Sequence, residues 1–222
     1  MNENEQYHND TTSISKSGLD LIRSAPALYH HRYLNKSKPK NESTDAMVFG
    51  SAFHLYILEP EKIENELIVK PIFKGTGSRN RSEEWDQINT DKIVISTPTY
   101  KHIIGMRDAV INHPIAYKLL FSGQAEKDFR WVDEVTGVNC KCKPDFLNDK
   151  NDIVDLKSTE DASDYGFPKS ARKFRYHIQA PFYLDGVRKN GIKAGQFYFI
   201  AVEKKPPYLV NVFTYDEYEL DL

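Results

Sequence analysis

Two carboxylates and one ammonium group are spaced so that they could meet at one point of a β-sheet. Asp145 lies at the end of a predicted strand over 138–146, and Asp155 and Lys157 lie two apart on the next predicted strand, 152–157. Side chains two apart on a strand point to the same face of the sheet. A hairpin between these strands would place Asp145 beside that face, so we expect the three side chains to converge.

Such a cluster suits hydrolysis of a phosphodiester with a divalent cation. Mg²⁺ takes oxygen ligands, typically one or two carboxylates, and leaves positions for water and phosphate. The cation lowers the pKa of a bound water and neutralises charge on the phosphate, while a lysine can orient that water. A surface hairpin with ordinary charges is the alternative. Ile153, Val154 and Leu156 indicate that the strand is buried, and buried charges require partners.

Along the chain, the predicted elements that must position this cluster are mostly helices in the first half and mostly strands in the second half. We expect a disordered lead-in over 1–12 and a single domain over 13–222, mostly helical over 13–123 and carrying the catalytic sheet and helix over 124–222. This order indicates an α/β fold with a mixed central β-sheet flanked by helices and a helical N-terminal part. The later elements are strands over 125–132, 138–146 and 152–157 as consecutive antiparallel neighbours, a helix over 170–189 interrupted by Pro181, and closing strands over 196–203 and 208–214.

Composition limits the classes that the chain can belong to. In 222 residues, 40% are apolar and 12% aromatic, which is enough for a substantial core. Thirty Lys and Arg face 32 Asp and Glu, a net charge of −2 that is mild evidence against a nucleic-acid binder. Two cysteines, Cys140 and Cys142, are too few for a disulfide framework and favour reduced thiols in a cytoplasmic protein. No apolar run approaches the ~20 residues of a membrane span.

Basic residues are nevertheless concentrated locally, as a DNA backbone would require. A solvated charged surface is the alternative for each cluster. The clusters are Lys169, Arg172, Lys173 and Arg175 before the helix of Gln179, Arg79 and Arg81 in a Gly- and Ser-rich loop, Lys36, Lys38 and Lys40 in a loop over 35–45, and Lys141 and Lys143 beside the acids.

Three polar residues outside the strands are further candidates. Gln179 and Tyr183 are four apart, hence on one helix face, and both side chains can donate to phosphate oxygens. His54 lies in an apolar segment predicted as a helix over 46–58, where a histidine is more often a core residue. Imidazole is an unusual ligand for Mg²⁺ but a good one for Mn²⁺.

These residues belong to an ordered set of motifs that resembles the PD-(D/E)XK nuclease superfamily, and within it the RecE-type phage and prophage exonuclease domain (exonuclease VIII-like). The set covers nearly the whole chain from Ser13 to Phe213. Its members are Ser15-Lys-Ser-Gly-Leu19 with Ser24-Ala-Pro26, Gly50-Ser-Ala-Phe-His54-Leu-Tyr-Ile-Leu-Glu-Pro60, Glu126 with Trp131, Cys142-Lys-Pro-Asp145, Ile153-Val-Asp-Leu-Lys157 and Gln179-Ala-Pro-Phe-Tyr183-Leu-Asp-Gly186.

The resemblance implies a restriction-endonuclease-like core and a role for each site residue. His54, Asp145, Asp155 and the Leu156 carbonyl would hold Mg²⁺ or Mn²⁺, with Glu126 at a second metal or in the outer shell. Lys157 would position the attacking water, and Gln179 and Tyr183 would face the scissile phosphate or the DNA. Relatives with an iron–sulphur cluster carry a cysteine before the early proline, where this chain has Ala25, so we expect no cluster.

The activity that this implies is resection of double-stranded DNA from its 5′ ends. A ring-shaped homo-oligomer and a single-strand annealing protein as partner follow from the same resemblance. Three alternatives stay open: an endonuclease of restriction or repair type with the same metal site, a DNA-binding module that has lost catalysis, and a metal-binding scaffold that does not bind DNA.

Overall fold

The computed structural model describes residues 3–35 and 44–214. The helices are α1 (Glu3–Asn9), α2 (Lys16–Ser24), α3 (Pro26–Tyr29) with a π-helical turn (His30–Leu34), α4 (Asp45–Leu58), α5 (Ile63–Glu66), α6 (Ser78–Ile88), α7 (Thr97–Asn112), α8 (Pro114–Leu120), α9 (Gly166–Lys173) and α10 (Tyr176–Lys189). The strands are β1 (Leu67–Val69), β2 (Ile93–Ile95), β3 (Gly123–Ala125), β4 (Phe129–Val132), β5 (Asn139–Cys142), β6 (Phe146–Asn148), β7 (Ile153–Thr159), β8 (Phe197–Glu203) and β9 (Val210–Thr214).

A five-stranded sheet of order β3-β6-β7-β8-β9 forms the centre of the fold. Only the β7–β8 pair is parallel, and α9 and α10 lie in the crossover between these two strands. The other neighbours are antiparallel. The predicted fold class, a mixed central sheet flanked by helices with a helical N-terminal part, is confirmed.

The two faces of this sheet carry separate apolar cores because successive side chains of each strand alternate in direction. Ile153, with Phe197 and Phe199 of β8, packs against α9 and α10. Val154 and Leu156 pack on the opposite face, against residues of α4, α7 and α8. A third cluster joins α4 and α7 to the parallel pair β1–β2. β7 is therefore covered on both faces, as its apolar sequence indicates.

The predicted strands 125–132 and 138–146 are each divided, so the expected three-stranded meander is wrong. Glu126 leaves β3 with a left-handed φ of 51°, and Pro144, which has no N–H to donate, lies in the gap between β5 and β6. β4 and β5 form their own two-stranded sheet. β6 pairs with β7 on one side and with β3 on the other.

The predicted helix 170–189 is also divided, but not at its proline. α9 ends at Lys173 and α10 begins at Tyr176, with Arg175 in the left-handed region at φ 58°. Pro181 lies inside α10, which continues past it to Lys189. Gln179 and Tyr183 consequently belong to one continuous helix.

The segment 1–12, expected as a disordered lead-in, contains a helix in the part that the structure describes. Residues 3–9 form α1, and the Tyr7 side chain is buried. The buried Lys141 explains this order, because its Nζ donates to the carbonyls of Tyr7 and, at 2.7 Å, Asp10. Most of the loop expected over 35–45 lies outside the described residues, with Lys36, Lys38 and Lys40.

Candidate active site

The short strand β6 and the centre of β7 bring Asp145 next to the backbone of β7. Asp145 directly precedes β6, in which Phe146 pairs with Val154. Its carboxylate Oδ2 accepts a 2.7 Å hydrogen bond from the Leu156 amide. The side chain is thereby fixed across the sheet, although its strand is not the one expected.

Asp155 lies on the α10 side of β7, where two side chains bind its carboxylate. One oxygen forms an ion pair with Lys157. The other accepts a hydrogen bond from Nε2 of Gln179, which is buried on α10. Since Asp155 is only 1% exposed, these partners stabilise a charge that burial alone would strongly disfavour.

Lys157 stays protonated in this setting. Burial disfavours its charged form, but the carboxylates of Asp155 and Asp145 outweigh burial and raise the pKa of Lys157 above its ordinary value. The ammonium also lies 4.9 Å from the centroid of the Tyr176 ring, a cation–π distance. Lys157 is therefore a fixed cation beside the two acids.

His54 of α4 approaches the acids from the opposite side of the sheet. Its Nε2 lies 3.1 Å from the Leu156 carbonyl and its Nδ1 lies 3.6 Å from Oδ1 of Asp145. Burial, followed by the nearby Lys157 charge, lowers the pKa of His54. The imidazole is thus neutral at neutral pH, and Nε2 carries its proton because a carbonyl can only accept. Nδ1 then presents a lone pair to the carboxylate.

Glu126 completes a set of ligand atoms that repel one another. One ligand atom each from His54, Glu126 and Asp145 lies within 4.8 Å of the others. The described residues contain no second group of three or more potential metal ligands this close together. The left-handed turn at Glu126 and a 3.0 Å hydrogen bond from its amide to the Asp145 carbonyl place it there. Three acceptors that face one another are stable only with a proton or a cation between them.

Burial and this crowding raise the pKa of both acids. Burial, and then the charge of Asp155, raises the pKa of Asp145 to about 8. Burial, and then Asp145, raises the pKa of Glu126, which lies 3.1 Å from Nζ of Lys143. A donor set of one imidazole nitrogen and carboxylate oxygens suits a divalent cation, with Mn²⁺ better matched to the imidazole than Mg²⁺.

The structure does not bring every predicted ligand into this cluster. Asp155 is adjacent to Asp145 but is engaged by Lys157 and Gln179. The Leu156 carbonyl faces His54. Tyr183 lies one turn beyond Gln179 on α10, half-buried, and burial followed by the charge of Asp155 raises the pKa of its hydroxyl.

Two basic residues expected to face DNA instead have structural partners. Lys141 is 4% exposed and donates a hydrogen bond to the Tyr7 carbonyl of α1. Arg175 forms a 2.6 Å ion pair with Asp20 of α2. Tyr176 was not expected at the site. It lies one helical turn before Gln179, so the same spacing argument that paired Gln179 with Tyr183 could have found it.

The comparisons with known proteins agree with this fold. The family described as "PDDEXK-like domain of unknown function (DUF3799)" matches residues 15–222, so the chain belongs to this family. The expected resemblance to the PD-(D/E)XK nuclease superfamily is confirmed. No match was found among curated proteins.

One solved structure shows the same fold. A "putative exonuclease" from Eubacterium rectale is similar over 100% of this chain and 80% of its own, with a TM-score of 0.68 and 19% sequence identity. A second structure, of SSO0001, has 16% identity over 81% of this chain and 82% of its own, but its TM-score is only 0.33. Within residues 3–35 and 44–214, no helix is both long and apolar enough to cross a membrane.

Proposed function

We propose that this chain is a deoxyribonuclease that hydrolyses phosphodiesters of double-stranded DNA with the help of Mg²⁺ or Mn²⁺. The single observation that carries the proposal is the juxtaposition of two groups of side chains. The acceptors of His54, Glu126 and Asp145 face one another, and the ion pair of Asp155 and Lys157 lies next to them. Metal ligands and a fixed ammonium are what phosphodiester hydrolysis needs in one place.

The cation would be held by His54, Asp145 and Glu126, with Asp155 and the Leu156 carbonyl as adjacent oxygen donors. When bound, it supplies Lewis acidity to the phosphate and lowers the pKa of a coordinated water. Lys157 would orient the attacking water and stabilise the negative charge that grows on the phosphate. Its ion pair with Asp155 fixes the direction of the ammonium.

Two side chains of α10 complete the site around Asp155 and Lys157. Gln179 holds the carboxylate of Asp155, which in turn holds Lys157, so Gln179 acts on the amine through the acid. We assign Tyr183 to the phosphate or DNA that enters along α10, because its hydroxyl remains protonated at neutral pH and can donate.

An exonuclease that resects 5′ ends is the form of this activity that we favour. It rests on the resemblance to the RecE-type domain and on the fold shared with the putative exonuclease from Eubacterium rectale. The same resemblance underlies our proposals of a ring-shaped homo-oligomer and of a single-strand annealing protein as partner. An endonuclease would use the same site.

The test is digestion of linear duplex DNA and of closed circular DNA, with Mg²⁺, with Mn²⁺ and with a chelator. We expect degradation of the linear duplex with either cation, none with the chelator, and an intact circle. Lys157→Ala should lower the rate at least a hundredfold, whereas Lys150→Ala, in the exposed turn after β6, should leave it unchanged. Nicking or cutting of the circle would show an endonuclease, and undiminished activity of Lys157→Ala would exclude this active site.

A further inference from the structure

A stack of three aromatic rings runs from the core of the protein past Lys157 to solvent. Phe199 of β8 is fully buried, and Tyr176 stacks on it at a centroid distance of 5.2 Å and an interplanar angle of 19°. Phe174 continues the stack at 6.0 Å and 23° from Tyr176. Phe174 is 53% exposed, so the outermost ring of the stack meets solvent.

The stack is directly connected to the candidate active site. The Lys157 ammonium lies 4.9 Å from the Tyr176 centroid, so Phe174 is one ring removed from the group that we assign to the attacking water. Nucleotides repeat roughly every 3.4 Å along a duplex strand and further apart in an extended one. A nucleotide within one or two positions of the scissile phosphate can therefore reach the Phe174 ring.

The segment that presents Phe174 is held rigidly. Nζ of Lys16 donates a 2.7 Å hydrogen bond to the Phe174 carbonyl. Asp20 pairs with both Lys16, at 2.8 Å, and Arg175, at 2.6 Å. These contacts hold the turn with its left-handed Arg175, which is a costly conformation for a residue with a side chain. A ring fixed in this way loses little conformational entropy when it binds a ligand.

The charge around Phe174 matches a nucleic-acid strand. Nζ of Lys173 lies 5.4 Å from the Phe174 centroid, and Lys169 and Arg172 are exposed on the same helix. Aromatic faces that alternate with basic side chains are typical of sites that bind unpaired nucleotides, because bases stack and phosphates pair with the cations. An isolated exposed phenylalanine is unremarkable, but this ring has a cation beside it and an ordered stack behind it.

We propose that Phe174, Tyr176 and Lys173 form a stacking subsite for an unpaired nucleobase next to the scissile phosphate. The subsite rests on the proposed nuclease function and adds to it that the strand is held unpaired at the active site. Phe174 provides the stacking face, Tyr176 supports it from below, and Lys173 binds the neighbouring phosphate.

The test is the affinity for two single-stranded probes of equal length, oligothymidine and an oligonucleotide without bases, measured by fluorescence anisotropy with a chelator present. Both probes carry the same phosphates, so only stacking distinguishes them. Phe174→Leu keeps the apolar bulk and removes the aromatic face. It should weaken oligothymidine binding roughly five- to a hundredfold and leave binding of the base-free probe unchanged, while Phe174→Trp should bind oligothymidine at least as tightly as the wild type.

Tyr165 provides the matched control. It is 73% exposed, its ring centroid lies 3.5 Å from Nζ of Lys169, and it is at the other end of α9. Tyr165→Leu should bind both probes like the wild type. Three results would each overturn the subsite. Phe174→Leu could bind oligothymidine as tightly as the wild type, it could lose the same affinity for both probes, or Tyr165→Leu could lose as much affinity for oligothymidine as Phe174→Leu does. If the wild type cleaves DNA in any of these cases, the proposed nuclease function stands. A wild type that neither cleaves DNA nor binds either probe removes both proposals.

Discussion

The protonation of the Asp145 carboxylate depends strongly on the fold. The carboxylate is buried beside Asp155 and accepts a hydrogen bond from Leu156. Its pKa is raised to about 8 from an ordinary value of 3.8, so the folded protein binds a proton that the unfolded chain has already lost at neutral pH. The stability that this proton confers is complete below about pH 4 and is lost as the pH rises through about 8.

We therefore predict that, in a chelator, the free energy of unfolding falls between pH 5 and pH 8.5 by on the order of 2–4 kcal/mol. Asp145→Asn should remove most of this dependence, because an amide can accept from Leu156 without ionising. Chemical denaturation at several pH values is the measurement. Asp149→Asn, in the exposed turn after β6, should keep the wild-type slope, and an unchanged slope in Asp145→Asn would contradict the assignment.

The acidic and basic residues of the site could be predicted from sequence, but their pairing could not. The two-residue spacing of Asp155 and Lys157 fixes their common face, and the structure places them in contact. The hydrogen bond from Gln179 to Asp155 joins residues of β7 and α10, and no local pattern encodes it. The burial of Lys141 was missed for the same reason, since its partners lie more than a hundred residues earlier.

Lys141 shows how one side chain determines whether a terminal helix is ordered. Its ammonium hydrogen-bonds two carbonyls at α1, lies 4.5 Å from the Tyr7 ring centroid and is 3.8 Å from the Asp10 carboxylate. Lys141→Met should therefore lower the free energy of unfolding by about 2–4 kcal/mol and release α1. Hydrogen exchange should show faster exchange over residues 6–10. Protection equal to that of wild type would refute this role, and Lys150→Met serves as the unaffected control.

Two helical glycines provide a matched test of packing. A Cβ on Gly186 of α10 would lie 2.7 Å from both Cys142 Sγ and the Trp131 ring, whereas a Cβ on Gly50 of α4 would meet nothing within 4 Å. We predict that Gly186→Ala destabilises the protein by about 1–3 kcal/mol through overpacking. Gly50→Ala should stabilise it by up to about 1 kcal/mol through helix propensity. Thermal and chemical denaturation measure both, and equal effects would contradict the packing of α10 on the β4–β5 hairpin.

The divided elements explain why the topology was only partly predictable. Alternation and apolar density locate the strand residues correctly, but they carry no information on where one sheet ends and another begins. The divisions occur at Glu126, Pro144 and Arg175, where a left-handed residue or a missing N–H interrupts a periodic pattern. Only Pro144 is recognisable in the sequence, because a left-handed glutamate or arginine is held by tertiary contacts.

The candidate active site belongs to the molecule as a whole, since distant segments of the chain build it. His54 comes from α4, Glu126 and Asp145 from the two sides of the β4–β5 hairpin, and Gln179 from α10. Asp155 contacts α10 on one face of the central sheet, and α4, which carries His54, packs on the other face. A cation that binds these residues would join the helical part to the sheet and should stabilise the folded protein by an amount that rises with the logarithm of its concentration above the Kd.

The most direct test of the account is the rate of cleavage of an end-labelled linear duplex as a function of Mn²⁺ concentration, for wild type, Asp145→Asn and Asp149→Asn. We predict that the wild type and Asp149→Asn share one saturable curve and that Asp145→Asn shows no cleavage at any concentration. A wild-type curve from Asp145→Asn, or cleavage by the wild type that does not depend on the cation, would contradict the proposed metal site.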